Sequence, residues 1–456
     1  GDHWTMAGQM NLGGQLLAAF PDYRELSETA ASLEQQLRSG PVVPKDAAKG
    51  HAINDMLAAL KDNTDARERM LVDMALSPVP STFVFPPLRT VEELQSALEP
   101  GAALLVFHAA GGKLFGFVVS NQHLHVWLLG DVVAAERVVA DFLRALGNYG
   151  SKREMATAEL AAGDWRSASA NIFAKLFAES RFDVTKTHRL AIVPDGCLWY
   201  LPFEALAIPD ATPPEVLLDR MPVHYGPTAG LTIGDVRPFR RLQHTGIVAN
   251  RLGSEAASGD KSAAVAPIED VVVGPVRLVP PLAAPGYLYA SLFDGLVVLD
   301  DLELNRNDLY GWSPLPKSRG RSSDSISLWM GLPYNGPERM VLVGFPTAAE
   351  SGLRGARRGE GAVPGSDMFQ AVCGLMASGA RTILLSRWRT SGRMNLQLVR
   401  EFVQELPHAP ADEAWQRSVM IAQETPLDPS QEPRLKKLEE GVEPPGAEHP
   451  FFWAGY

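Results

Sequence analysis

Cys197 and Cys373 are the only two thiols in this 456-residue chain, and ten histidines are the only imidazoles that could activate them. A cysteine nucleophile acts as the thiolate, which needs an imidazole or a cation beside it. Neither cysteine has a basic partner nearby in sequence. Cys373 shares helical offsets with Phe369 and Met376, and Cys197 follows the Pro194-Asp195-Gly196 turn into an apolar run read as a strand. Both contexts predict buried core thiols, as free cysteines commonly are. His123 and His125 fall on one face of a predicted strand, a two-ligand metal spacing. No third ligand can be picked out, so no metal site is expected. His188 and His224 flank the central segment without a partner in sequence, and His449 is expected to anchor the end of the chain.

Other charged clusters offer binding rather than catalysis. Arg354, Arg357 and Arg358 lie in a Gly-spaced basic stretch from Gly352 to Gly361, and Lys317, Arg319 and Arg321 form a second. A phosphate cradle would need backbone amides at a helix start and a Lys-Ser/Thr pair, which are absent. Both stretches read as loops, for which plain solvation is the usual state and contact with an acidic partner peptide the alternative. Asp300-Asp301-Leu302-Glu303, followed by Asn305 and Asp308, is acidic but lacks the glycine and terminal glutamate of a calcium loop. It reads as a solvated turn. No cofactor is implied.

Composition removes several classes. Lys plus Arg is 42 and Asp plus Glu is 53, a net charge of -11, which argues against nonspecific nucleic-acid binding. Two cysteines exclude a disulfide scaffold and a cysteine-rich zinc module. The longest apolar runs, such as Ala102–Phe107 and Leu296–Leu299, are strand-sized, far short of the roughly 20 residues a membrane helix needs. A cytoplasmic location is the expectation. The chain opens at Gly1 rather than Met, which leaves a removed leader open.

The elements that must position any site follow from periodicity. The first hundred residues carry helical spacings: Met10 to Phe20, Leu26 to Leu37, and Ile53 to Leu60. Thr90 with Glu93 predicts a capping box for a helix through Leu98. At Ala102 the period shortens to two. Ala103–Ala109 and Leu114–Ser120 predict a hairpin turning at Gly111-Gly112, with His123–Leu129 a third strand. Helices are expected at Val132–Leu146 and Ala156–Glu179, and a buried strand at Arg189–Pro194. Residues 251–285 read as a long, partly disordered connection. Strands then alternate with helices: Tyr287–Leu292, Met340–Phe345 and Thr382–Arg387 between helices at Ile326–Leu332, Asp367–Ala377, Asn395–Leu406 and Glu413–Gln423. That alternation predicts an α/β fold with a mostly parallel sheet, whose chemistry gathers at the carboxyl ends of its strands.

Three stretches carry a specific resemblance. They are Leu190-Ala-Ile-Val-Pro-Asp-Gly-Cys-Leu-Trp-Tyr-Leu-Pro-Phe-Glu-Ala-Leu206 with Pro222-Val-His-Tyr-Gly-Pro-Thr228; Gly359-Glu-Gly361 with Ser378-Gly-Ala-Arg-Thr-Ile-Leu-Leu-Ser-Arg-Trp388; and His449-Pro-Phe-Phe-Trp-Ala454. In this order the chain, from roughly residue 90 onward, resembles the CHAT domain, the caspase-like peptidase module often attached to tetratricopeptide repeats. The resemblance implies a caspase-like, mostly parallel sheet flanked by helices, here preceded by a helical segment. It also implies a Cys–His dyad at the ends of two adjacent strands. Where the family has Leu-His-x-Ala-Thr-His-Gly, this chain reads Leu288-Tyr-Ala-Ser-Leu-Phe-Asp-Gly295, with Leu292 or Phe293 at the histidine position. Where it has Leu-Ser-Ala-Cys-x-Thr, this chain reads Leu342-Val-Gly-Phe-Pro-Thr347, with Phe345 at the cysteine position.

No cysteine lies within 25 residues of Phe345, and no histidine lies between His244 and His408. The expectation is therefore a pseudopeptidase that works by binding, as a protein-interaction or assembly module. Its partner would be another protein or a second copy of itself, and its apolar pair would fill the former cleft. The competing expectation is an active peptidase with its nucleophile elsewhere. The expected layout is a helical segment at 1–100, a first CHAT-like half at 101–235 and a second half carrying the degenerate site at 236–456.

Overall fold

The computed structural model describes residues 17–18, 20–40, 47–76, 89–150, 154–162, 164–209, 211–212, 214–233, 241–249, 261–279, 292–304, 310–315, 325–330, 336–345, 347, 349–358, 363–388, 390, 392–432, 434–436 and 446–456. It is an α/β protein built on two five-stranded sheets with helices packed around them.

The leading helices are α1 (Pro21–Ser39) and α2 (Ala47–Leu76). They pack on each other, and Arg67 of α2 donates to the Tyr23 hydroxyl of α1 at 2.9 Å. Ala30, Leu37, Leu57 and Leu60 are buried in the main core, as their helical spacing predicts. Most of the Met10–Phe20 stretch lies outside the described residues. Helix α3 (Val91–Ala97) carries the expected capping box: Glu93 N–H donates to Thr90 Oγ1 at 3.3 Å, and Thr90 N–H to Glu93 Oε2 at 2.7 Å.

The first sheet contains β1 (Ala102–Ala110), β2 (Lys113–Val119), β3 (Leu124–Asp131), β4 (Arg189–Val193) and β5 (Val223–Tyr225), in the order β3-β2-β1-β4-β5. β1, β2 and β3 pair antiparallel, while β4 joins β1 in parallel and β5 joins β4 in parallel. Helix α4 (Val132–Ala145) follows β3 directly. The expected helix at Ala156–Glu179 is two helices, Thr157–Ala162 and α5 (Trp165–Phe177). The break has a local cause, because the Asp164 side chain accepts from Ser167 N–H at 2.9 Å and starts a new helix. Cys197 does not enter a strand. It lies in a 3₁₀ turn, Gly196–Tyr200, whose Gly196 takes φ +57.

The second sheet is wholly parallel: β6 (Thr245–Val248), β7 (Pro275–Arg277), β8 (Gly295–Asp301), β9 (Arg339–Gly344) and β10 (Thr382–Leu385), in the order β10-β9-β8-β6-β7. β8 reads Leu-Val-Val-Leu and β9 Met-Val-Leu-Val, continuous apolar runs suited to burial on both faces. β7 and a helix at Lys261–Glu269 lie within 251–285, so part of that stretch is sheet and helix rather than connection. Helices α6 (Ala349–Arg358), α7 (Ser366–Ala377), α8 (Arg393–Glu405), α9 (Ala411–Gln423) and α10 (Pro450–Trp453) complete the fold. One core cluster joins Leu105 and Ile192 of the first sheet to Val297 and Leu342 of the second. A smaller cluster, Leu94, Leu104, Val119, Ala191, Val193 and Ile233, lies on the other face of the first sheet.

One strand differs from expectation in a way that matters for the site. Residues 287–291 lie outside the described residues, and the strand that pairs with β9 is Gly295–Asp301. The apolar run Leu296–Leu299 forms it, pairing Gly295 with Arg339 and Asp301 with Gly344.

Candidate functional site

In a parallel sheet, chemistry collects at the carboxyl ends of the strands. At the end of β9, Phe345 is almost wholly buried, 1% exposed, with its ring centroid 5.3 Å from that of Trp312 and the planes at 70°. Its backbone is clasped by Ser386 at the end of β10: Phe345 N–H donates to Ser386 Oγ at 2.9 Å, and Ser386 Oγ–H donates to Phe345 O at 3.1 Å. Thr347 N–H adds a donor to Phe345 O at 3.1 Å. Beside it, β8 ends in Asp300 and Asp301, and the N–H of the next residue, Leu302, donates to Gly344 O at 2.9 Å. A Cβ on Gly344 would lie 2.4 Å from Asp300 O, so the two strand ends touch through backbone. Asp300 and Leu302 are buried and Asp300-Asp301 closes β8, so this stretch is not a solvated turn throughout; Glu303 lies past the strand and is exposed, and Asn305 and Asp308 lie outside the described residues.

Leu292 and Phe293 are elsewhere. Both are buried, yet they precede β8 and stand at its amino end, with Phe293 packed near Gly246 of β6. Phe345 stands at the carboxyl end of the neighbouring strand. The two positions are separated by the length of β8, roughly 20 Å at about 3.3 Å per residue. They do not form a pair that fills one cleft. Sequence reading placed the strand one element too early, because Tyr287–Leu292 and Leu296–Leu299 are both apolar runs of strand length. The same amino end holds the buried Asp294. It receives Arg38 of α1 at 2.5 Å and the Gln243 N–H at 2.9 Å, and so ties the helical segment to the second sheet.

The two cysteines are not near an imidazole by any hydrogen bond among the described residues. Burial raises the Cys197 thiol far above its ordinary range, with Glu136 and Asp195 adding to the effect. Burial also raises Cys373 on α7. The histidines have other partners. His125 Nε2 contacts Glu179 O at 2.8 Å and His188 Nε2 contacts Pro100 O at 2.7 Å. His224 lies 3.3 Å from Asp412, so neither His188 nor His224 lacks a partner. His449 Nδ1 accepts from Phe451 N–H at 3.1 Å and starts α10. Among the described residues no three His, Cys, Asp or Glu side chains gather as a metal site would require.

The basic stretch 352–361 is not a loop throughout. Residues up to Arg358 form α6, in which exposed Arg354 pairs with Glu350 one turn earlier at 2.7 Å. The side chains of Arg357 and Arg358 lie outside the described residues, as do Lys317, Arg319 and Arg321 entirely.

Two features escaped the sequence reading. The first is an open groove of about 690 Å³ beside the first sheet, lined by Val106, Phe117, Val193, Trp199, Val363 and Phe369. His108 and Asp195 stand on its wall 3.5 Å apart, and Asp195 also accepts from Ala109 N–H at 2.7 Å. The second is a buried polar link between the two most specific motifs. Arg387, next to the β10 end, donates to Glu204 at 2.7 Å, stacks 4.6 Å over the Tyr225 ring, and the Tyr225 hydroxyl also bonds Glu204. Burial raises the Glu204 carboxyl, while Arg387 and Tyr225 act in the opposite direction. The chain end closes over this link: Arg387 N–H donates to Gly455 O at 2.5 Å, and Thr390 Oγ1 joins Tyr456 Oη (3.0 Å) to Val343 O of β9 (2.7 Å).

None of the described helices is long and apolar enough to cross a membrane. No curated protein matches the chain. A family model does: the CHAT domain matches residues 347–456, beginning just past Phe345 and covering the helix–β10–helix region and the buried end of the chain. This C-terminal stretch, which contains the Ser386-Arg387-Trp388 and Phe451-Phe452-Trp453 segments, is thus similar to the CHAT domain, a family of caspase-like, peptidase-related modules.

Proposed function

We propose that this chain is a non-catalytic CHAT-type protein that acts by binding other proteins or a second copy of itself. The observation that carries the reading is Phe345. A phenyl ring neither ionises nor attacks, and here it is packed edge-on against Trp312 at the carboxyl end of β9. The adjoining end of β8 carries Asp300 and Asp301, followed by Leu302, without an imidazole. The burial that raises Cys373 and Cys197 opposes thiolate formation, whereas activation requires a lowered thiol pKa. The two halves at 101–235 and 236–456 act in this reading as one body stapled by Arg387 and Glu204. The cytoplasm, where both free thiols stay reduced, is its proposed setting.

The test is covalent labelling of the full chain with a thiol-directed peptidase probe. No labelling dependent on a cysteine of a catalytic site is expected. Stoichiometric labelling that vanishes in Cys373→Ala or Cys197→Ala would overturn the reading in favour of an active peptidase.

A further inference from the structure

The two sheets differ in how their edges are protected. β5 and β7 are each three residues long, and β10 is four. β3 is an eight-residue edge strand that pairs among the described residues only with β2. Such edges are templates for another strand unless proline, lysine, brevity or a covering element blocks them. Leu124–Asp131 contains neither proline nor lysine.

Its two faces are distinct. Trp127 points into the core over Gly116, where a Cβ would lie 2.3 Å from the indole, and donates from Nε1 to Leu176 O at 2.9 Å. His125 on the same face reaches Glu179 O. The strand is thus held in place from inside. On the opposite face Leu124, Val126 and Leu128 are 43%, 47% and 54% exposed, among the most exposed large apolar side chains described. They extend a row begun by Val119, Phe117 and Phe115 of β2, their register partners, and Leu124 also borders the apolar groove.

We propose that β3 pairs antiparallel with β3 of a second copy of this chain, about a two-fold axis normal to the sheet at Val126. This deepens the interaction-module reading above and rests on it. The strand is self-complementary in that register: Val126 faces Val126 of the second copy, and Leu124 faces its Leu128. One continuous aliphatic row results, and both free edges are satisfied. Charge favours the same occupant. The chain carries a net charge of -11, yet the only acidic side chain on β3 is Asp131, already paired with Lys113 at 2.8 Å. A second acidic copy therefore approaches here without like charges being opposed.

The experiment is sedimentation velocity of the full chain across a micromolar concentration range. A species of twice 49.4 kDa is expected for the wild type. Leu124→Glu/Leu128→Glu sets carboxylates opposite each other and is expected to weaken association about tenfold or more. Leu124→Glu/Leu128→Lys places each Glu opposite a Lys of the second copy and is expected to restore the dimer relative to the double-Glu variant. Without any variant, amide exchange at 124–128 is expected to slow as concentration rises. A monomeric wild type overturns the proposal, including one that instead captures a foreign strand. So does a double-Glu variant that dimerises unchanged, a Glu/Lys variant no better than Glu/Glu, or concentration-independent exchange. A monomer would leave the Phe345 reading untouched, and cysteine-dependent probe labelling would overturn that reading while leaving the pairing intact.

Discussion

The guanidinium of Arg387 and the carboxylate of Glu204, 183 residues apart, meet at 2.7 Å with both side chains almost fully buried. Glu204 comes from the Leu-Pro-Phe-Glu segment beside the first sheet, and Arg387 from the strand end of the second. Two buried charges gain little over an apolar pair, but removing one leaves the other without compensation. Glu204→Gln is expected to lower stability by about 3–5 kcal/mol, read as a shifted urea midpoint. The double replacement Glu204→Leu/Arg387→Met is expected to cost less than either single one. A double variant as unstable as the sum of the singles would refute a mutual compensation.

Phe345 fills the end of β9 against Trp312. Phe345→Ala is expected to cost about 3–5 kcal/mol through lost burial and the cavity left behind. Phe345→Cys restores a thiol at that strand end but no imidazole, so it is expected to lose stability and gain no peptidase activity. Hydrolysis of a peptide substrate by Phe345→Cys alone would show that a general base already stands there.

Gly344 is fixed by contact rather than by turn geometry. A Cβ would meet Asp300 O at 2.4 Å and Asp301 Cα at 2.6 Å, both main-chain atoms of β8 that cannot swing aside. Gly344→Ala is expected to part the ends of β8 and β9 and cost about 1–3 kcal/mol, with faster amide exchange at Leu302. Gly295, whose Cβ would meet only the Thr245 side chain at 3.3 Å or more, is the matched control with a smaller loss expected.

Local order was legible where one residue pattern had one solution. The Thr90–Glu93 box, the hairpin at Gly111-Gly112 and the apolar strands at Met340 and Thr382 all follow from spacing. The position of Phe345 at a carboxyl strand end was legible for the same reason. Leu292 and Phe293 were not, because two apolar runs compete for the strand before β9 and only pairing with Arg339–Gly344 selects the second. The basic run at Arg354 reads as a loop because its glycines are poor helix formers. The Glu204–Arg387 link and the His108–Asp195 groove wall join residues far apart in sequence, and one chain without pairing information carries no trace of either.

Glu432 and His449 give opposite pH dependences. Glu432 accepts Met394 N–H at 2.8 Å at the start of α8, and burial pushes its carboxyl up to about 7 from 4.5, with Asp428 and Arg393 nearby. Between these values the folded chain holds a proton that the unfolded chain has shed. Its contribution is therefore full below 4.5 and lost as pH rises through about 7. His449 is pushed down to about 4 from 6.5 by burial and by Arg166, so its contribution is full above 6.5 and lost as pH falls through about 4. Each is worth on the order of 3 kcal/mol across its window, and the two slopes oppose between 4.5 and 6.5. Glu432→Gln is expected to unmask stability that rises with pH in that range. His449→Asn, which keeps an acceptor for Phe451 N–H, is expected to unmask stability that falls. Urea midpoints followed from about pH 4 to about pH 7 test both, and two variants with slopes of the same sign would show that at least one of these groups titrates as it does in the unfolded chain.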